Sequence, residues 1–149
     1  MTERTLVLVK PDSVQRGLIG EVLMRFERKG LRVVALKMLR LDTEMAGRLY
    51  AEHVQKPFFM SLVEFITSGP LVALVLEAPR VVGSVRQMMG ATDPADSAPG
   101  TIRGDLGLTV GMNVVHGSDS IERAREEIAF FFNTDEILDY RRDLERWIL

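Results

Sequence analysis

Apolar residues in this chain fall into two kinds of run that alternate along it, and no other feature narrows the possible folds as much. Thr5 to Val9, Leu31 to Leu41 and Leu71 to Ala78 are short stretches rich in Val and Leu with no helical periodicity. Such runs predict buried strands. Between them lie stripes at helical spacing: Ile19, Val22, Leu23 and Phe26, then Phe58, Phe59, Leu62, Val63 and Ile66, then Val81, Val82, Val85 and Met89. Gly30, the Gly69-Pro70 pair and Gly90 stand where those helices must stop. Thr43 to His53 is expected to form a further helix. Ser118 or Asp119 is expected to cap a last helix through Phe132, with Ile121, Ala124, Ile128 and Phe131 as its buried stripe. Val114-Val115 reads as a fourth, very short strand. The tail from Thr134 to Leu149 reads as a turn of helix with a packed end carrying Trp147.

The resulting order is β-α-β-α-β-α-β with extra helices. One sheet covered on one face by helices is the simplest architecture, and the pattern leaves open whether its strands run parallel or antiparallel. From Ala91 to Met112 no period appears, and Pro94, Pro99, Gly100, Gly104, Gly107 and Gly111 punctuate the stretch. A connection of that length inside a compact domain points to a functional or disordered loop. With 149 residues, 46% of them hydrophobic, a single domain spanning 1–149 is expected. A domain of this size buries roughly 68–70% of its unfolded surface, so it needs no staples. The chain has no internal repeat, low-complexity tract or linker.

Net charge is −2, from 21 acidic and 19 basic residues, so bulk electrostatics draw the chain toward neither nucleic acid nor membrane. Any anion it binds must be caught by a few placed bases. With no cysteine, disulfides, thiolate metal sites and cysteine nucleophiles are all excluded. The apolar stretch before Lys10-Pro11 is too short for a signal-peptide core or a membrane span, and the cytoplasm is the expected compartment.

No glycine-rich phosphate loop, dinucleotide fingerprint, zinc-protease helix or nucleophile-elbow motif occurs, so nucleotide chemistry would need another device. Of the two histidines, His116 sits in Asn113-Val114-Val115-His116-Gly117-Ser118-Asp119-Ser120, at the junction of an apolar run and a helix start. A neutral imidazole is a capable nucleophile near neutrality. The alternative is a histidine that is merely hydrogen-bonded in a loop. His53, inside an expected amphipathic helix, reads as a surface or rim residue. Arg103 and Thr92 in the long loop, with Arg86 before it, are candidate phosphate donors, since a planar guanidinium matches phosphate oxygens in pairs. The alternative for each arginine, which composition alone favours, is a side chain solvated or paired with Asp93, Asp96 or Asp105. Lys10 ends a strand, where side chains point into clefts, although by itself it reads first as a solvated strand-end lysine. Phe58 reads as core by its spacing. Glu127 could be solvated or held against the His116 turn. By themselves these residues describe an α/β-type domain with a histidine site beside a Gly/Pro-rich loop, and they leave the reaction open.

The Asn113 to Ser120 segment resembles the active-site signature of nucleoside diphosphate kinases. The resemblance runs through Lys10-Pro11-Asp12, Val14-Gln15-Arg16-Gly17-Leu18, Arg25-Phe26-Glu27, Pro57-Phe58-Phe59, Ser68-Gly69-Pro70 and Pro99-Gly100-Thr101-Ile102-Arg103-Gly104-Asp105. Several separated blocks in order are far more specific than one His-Gly-Ser. The resemblance implies an α+β, ferredoxin-like sandwich with a four-stranded antiparallel sheet and flanking helices. It implies transfer of the γ-phosphoryl group of a nucleoside triphosphate, mainly ATP, to a nucleoside diphosphate by a ping-pong route through phosphohistidine at His116. On the same basis Lys10, Tyr50, Arg86, Thr92, Arg103 and Asn113 face phosphates and sugar. Phe58 and Val110 hold the base, and Ser118 and Glu127 support the histidine. Mg²⁺ enters on the nucleotide's phosphates rather than in a protein metal site, and the protein is a homo-oligomer, hexamer or tetramer. Met112, Leu106 and Met24 depart from the family's usual residues, none at a catalytic position. A catalytically silent relative would lack His116, or Lys10 with both arginines, and all are present. A nucleic-acid binder is disfavoured by the net charge and by the lack of an exposed aromatic strand motif.

Glu127 lies nine residues past Ser118, about two and a half turns along a helix opening there, and so half a turn around it. It is nonetheless expected to hydrogen-bond His116 or Ser118 and to orient the imidazole.

Overall fold

A computed structural model describes residues Met1–Leu149. Its strands are β1 (Glu3–Val9), β2 (Arg32–Leu39), β3 (Leu71–Ala78) and β4 (Val115–Gly117). They form one sheet in the order β2-β3-β1-β4, every pair antiparallel. The helices are α1 (Pro11–Gln15), α2 (Ile19–Lys29), α3 (Thr43–Leu49), α4 (Phe59–Ile66), α5 (Val81–Met89), α6 (Ile102–Leu106) and α7 (Ile121–Phe131). This is the ferredoxin-like β-α-β-β-α-β arrangement. The α3–α4 pair is inserted between the two central β strands of that order. None of the helices is long and apolar enough to cross a membrane.

The central strands explain the continuous apolar runs. Successive side chains of a strand point to opposite faces. Leu6, Leu8, Leu71, Ala73 and Val75 pack on one face against Ala46 and Leu49 of α3, Val63 and Ile66 of α4, and Phe131. Val7, Val9, Val72, Leu74 and Leu76 pack on the other against Val22 and Phe26 of α2, Val85 and Met89 of α5, and Ile102 of α6. Helices therefore cover both faces, not one as the simplest reading of the pattern expected. A strand buried on both sides has no polar alternation to show.

Other expectations shift locally. The helix expected from Thr43 to His53 ends at Leu49 and continues as a short 3₁₀ turn over Ala51–His53. Pro11–Gln15 and Ile102–Leu106 are helical although no period announced them, because five residues are too few for a stripe to repeat. Each is set by its ends: Pro11 occupies the first turn of α1, and the side chain of Thr101 caps α6 by accepting from the Gly104 amide. The last helix is capped by Ser120, which accepts from the Arg123 amide at 3.0 Å, rather than by Ser118 or Asp119. Ile121, expected in its buried stripe, is 41% exposed, while Glu127 is 3% exposed.

The tail is tied down by the Leu138 amide on the Val34 carbonyl, by the Tyr140 hydroxyl on the Val33 carbonyl and by Arg142 on the Gly30 carbonyl. Those ties turn Trp147 outward, 76% exposed beneath the Arg146 guanidinium, instead of packed. Gly30, at a φ of 104°, ends α2 as the spacing required.

Phe26 is fully buried between α2 and the sheet face that carries β4. Its truncation to alanine is expected to lower stability by about 3–5 kcal/mol, through lost transfer energy and an unfilled cavity. Urea unfolding checks this: the midpoint falls with little change in slope.

Candidate active site

Residues directly opposite on antiparallel strands share a face. His116 lies opposite Leu8, so it points to the side covered by α3, α4 and α7. It is a mid-strand residue, not part of a strand-to-helix turn. Gly117 ends the same strand. It faces α5, where a Cβ would lie 2.8 Å from the sulfur of Met89 and 3.1 Å from Cγ1 of Val85.

The side chain of Glu127 descends from α7 onto this strand. Its two oxygens lie 3.0 and 3.1 Å from Nε2 of His116, and Ser118 donates to Oε1 at 2.6 Å. The half-turn offset raised by the sequence vanishes because Ser118 precedes the helix and is still bound to β1, its amide donating to the Leu6 carbonyl at 3.1 Å. Burial alone would raise the Glu127 carboxyl. The bonds from His116 and Ser118, with the charge of Arg123, outweigh it and hold the group below the ordinary carboxylate range. The ionised Glu127 in turn helps to push the largely buried Tyr50 phenol up to about 12, burial being the larger cause.

A cavity of about 610 Å³ opens above His116. Of the residues singled out from sequence, Lys10, Tyr50, Phe58, Arg86, Thr92, Arg103, Val110, Asn113, His116 and Glu127 all line it. Ser118 does not, being fully buried behind Glu127. Phe58 is 47% exposed, at the cavity wall rather than in the core that its spacing suggested. His53 lies beside it with ring centroids 5.8 Å apart, on the cavity rim.

One end of the cavity is cationic. Lys10 donates to Oδ1 of Asn113 at 2.7 Å, and Asn113 donates to the Thr92 carbonyl at 2.9 Å, which joins strand end, loop and turn. Arg103 donates to the carbonyls of Asn113, Gly90, Ala91 and Val115. Arg86 is exposed and makes no hydrogen bond or ion pair within the chain, so its fork is free for a ligand. Burial, reinforced by the Arg103 charge, lowers the Lys10 ammonium to about 8 against a partial rise from Asp12. Burial and the neighbouring Arg86 lower Arg103 to about 10.

Between Asn113 and His116 the backbone is bent sharply at Val114, whose φ is 75°. The Val115 amide donates to the Asn113 carbonyl at 2.8 Å, closing a γ-turn. Asp12 accepts the Val114 amide at 3.1 Å and Ser13 donates to the Val114 carbonyl at 2.7 Å. Asp12, Ser13 and Arg123 were not singled out from sequence. The (i, i+4) spacing of Arg123 and Glu127, and the Lys10-Pro11-Asp12 motif for Asp12, were the legible hints of them.

A family model described as nucleoside diphosphate kinase matches residues 3–137. A nucleoside diphosphate kinase of Thermomicrobium roseum is 58% identical over 147 residues, 99% of each chain. One from Archaeoglobus fulgidus is 59% identical over 98% of this chain and 97% of its own. A solved halophilic nucleoside diphosphate kinase from Halobacterium salinarum, in complex with CDP, has a TM-score of 0.97 at 53% identity, covering 100% of this chain and 99% of that one. A nucleoside diphosphate kinase family protein from Babesia bovis has a TM-score of 0.95 at 44% identity, over 99% of each chain.

The lowered Lys10 sets a pH dependence whose sign follows from the charge. Below about 8 Lys10 is an ammonium and attracts anions, and as pH rises through that value the charge is lost. Pyrophosphate, measured by calorimetry, is expected to bind more weakly at pH 9.5 than at pH 7, and Lys10→Met should flatten most of that difference. Stability moves the other way. The folded value lies below the unfolded 10.5, so the penalty for burying the charge is present below about 8 and relieved as pH rises toward 10.5.

Proposed function

From the premise that the chain belongs to the nucleoside diphosphate kinase family, enzymes that transfer phosphoryl groups between nucleotides, we propose that this transfer runs through a phosphohistidine at His116. The observation that carries the reading is the bond of Glu127 to Nε2. A neutral imidazole has one donor and one acceptor nitrogen. With Nε2 donating to the carboxylate, the lone pair is on Nδ1, the nucleophilic atom.

In the first half-reaction Nδ1 attacks the γ-phosphorus, the bond from phosphorus to the bridging oxygen breaks, and the nucleoside diphosphate leaves with that electron pair. The ring becomes cationic as it donates its lone pair, and the Glu127 carboxylate 3.0 Å from Nε2 stabilises that charge. A terminal oxygen of a second diphosphate then takes the phosphoryl group from Nδ1 and returns the ring to its starting state. Little covalent work is asked of the protein beyond in-line placement and neutralisation of spread charge. Lys10, Arg86 and Arg103 supply positive charge to the phosphates, with Thr92 and Asn113 as neutral donors and Tyr50 near the sugar. A Mg²⁺ would arrive on the phosphates, held by their oxygens and not by these cations, and would add to the neutralisation; no group of carboxylates or histidines here could form a cage for it.

Phe58 and Val110, both exposed at the cavity, hold the base by packing rather than by edge hydrogen bonds. The substrates are thus nucleoside di- and triphosphates of several bases, as the CDP bound by the Halobacterium relative suggests. We place the chain, 1–149, in the cytoplasm as one domain of a homo-oligomer, hexamer or tetramer, with no nucleic-acid or membrane partner. Leu36 and Met38, more than half exposed on the edge strand β2, and Trp147 in the tail offer apolar surface for copies of the chain.

Incubation with γ-labelled ATP and Mg²⁺ is expected to yield a phosphoprotein stable to alkali and labile to acid, and His116→Asn to abolish it. Label surviving in the Asn variant sinks the assignment. Purine and pyrimidine diphosphates should differ by less than about a hundredfold in kcat/KM, about 2.7 kcal/mol. Glu127→Gln is expected to lower kcat roughly 10–10³-fold with nucleotide affinity nearly unchanged, read by single-turnover phosphorylation beside calorimetry.

A further inference from the structure

Arg123 stands on α7 one turn before Glu127 and lines the same cavity. Its Nε lies 3.3 Å from Oε2 of Glu127. From the other side of the fork, Nη2 donates to the Leu49 carbonyl at 3.1 Å and lies 3.9 Å from the Glu52 carboxylate. Leu49 is the last residue of α3, so its carbonyl is one of those a helix end leaves without an internal partner. A cation there also suits the negative end of the helix. Beyond Leu49 the chain runs through Tyr50 and the turn at Ala51–His53 to Phe58, the residue that precedes α4. The hydrogen bond and ion pair between α7 and this helical arm come from Arg123, beside the Arg48 guanidinium of α3 that lies over the Phe130 ring of α7.

We infer that Arg123 is a positioning residue that couples the seating of the α3–α4 arm, and with it Tyr50 and Phe58, to the orientation of Glu127 and so of His116. The coupling rests on the proposal that His116 is the nucleophile. Its physical basis is the planar fork of arginine, which holds two partners on different edges in one fixed geometry. The two oxygens of Glu127 are not equally held. Oε1 accepts from both Ser118 and His116, whereas Oε2 has only His116 and Arg123. Without the guanidinium, Oε2 loses a charged partner in a place that is 3% exposed. The torsion that orients a carboxylate is soft, so Oε2 then turns more freely about the Oε1 that Ser118 still holds, and the carboxylate facing Nε2 is less firmly directed. On the arm side, the Leu49 carbonyl loses its donor, and the segment carrying Tyr50 and Phe58 keeps its apolar packing through Ala46, Leu49, Val63 and Ile66 and the Arg48 guanidinium over Phe130.

Two effects should therefore separate. Arg123→Met keeps the aliphatic stem and removes the fork. Its single-turnover phosphorylation by ATP is expected to slow about 5–20-fold, through Glu127, and its KM for nucleoside diphosphates to rise about 3–10-fold, through the arm. In a Glu127→Gln background the same substitution should change the phosphorylation rate by less than about twofold, because the two residues act as one unit, while the rise in KM persists. Arg123→Lys supplies a second reading with the helix and charge intact. One ammonium reaches the Glu127 carboxylate or the Leu49 carbonyl but not both, so it should restore one parameter and leave the other impaired. Rate effects that multiply fully in the double variant, or a lysine variant normal in both parameters, overturn the coupling. Either result beside intact labelling at His116 leaves the phosphohistidine proposal standing, whereas label in His116→Asn removes that proposal itself.

Discussion

The bend at Val114 holds the two halves of the site in register. A φ of 75° on a buried, β-branched residue is rarely tolerated, and such a conformation costs about 1–3 kcal/mol. It persists because the surrounding chain determines it from every side. The Lys10 amide and the Ser13 hydroxyl donate to the Val114 carbonyl, Asp12 accepts its amide, and Arg103 grips the carbonyls of Asn113 and Val115 on either side. The bend turns Asn113 toward Lys10 and Thr92 and lets β4 begin at the next residue, which sets His116 opposite Leu8. Relaxing the turn would slide β4 along β1 and carry His116 away from Glu127.

Charge in the site follows the same division between framework and working groups. Arg103 and Arg86 face one cavity, yet Arg103 is 7% exposed and gives donors to four backbone carbonyls, while Arg86 is exposed and unpaired. One guanidinium is thus part of the wall and the other is free to meet a ligand. Lys10 lies between these regimes, buried enough to be lowered to about 8 and still protonated at neutral pH. Clustering three cations in a chain of net charge −2 makes the positive end of the cavity a local construction, tied to placement and insensitive to bulk charge.

Much of the fold was legible along the chain, and the departures have definite causes. Leu71 to Ala78 and Val81 to Met89 are strand and helix at the residues their patterns indicated, because each run is long enough to show its period and is closed by Pro79 or Gly90. Five-residue helices at Pro11–Gln15 and Ile102–Leu106 were invisible for want of length. Ile121 looked like core by its spacing but is 41% exposed, and Glu127 looked marginal but is deeply buried. A polar side chain can occupy a core-facing position when its partners come from a distant strand, and no helical period registers those partners.

The sequence by itself determined the alternation of elements, the helix stops at Gly30, Gly69-Pro70 and Gly90 and, through a set of ordered motifs, the family and ten of the residues that line the cavity. Those depend on local preferences and on motif identity, which are written residue by residue. Only the tertiary structure decided that helices cover both sheet faces, that His116 sits within a strand, that its Nε2 is taken by Glu127, and that Arg123 bridges Glu127 to the α3–α4 arm. Each of these is a contact between segments far apart in the chain or a choice of face, fixed by antiparallel register and by a strained turn, and neither leaves a periodic trace in a single sequence.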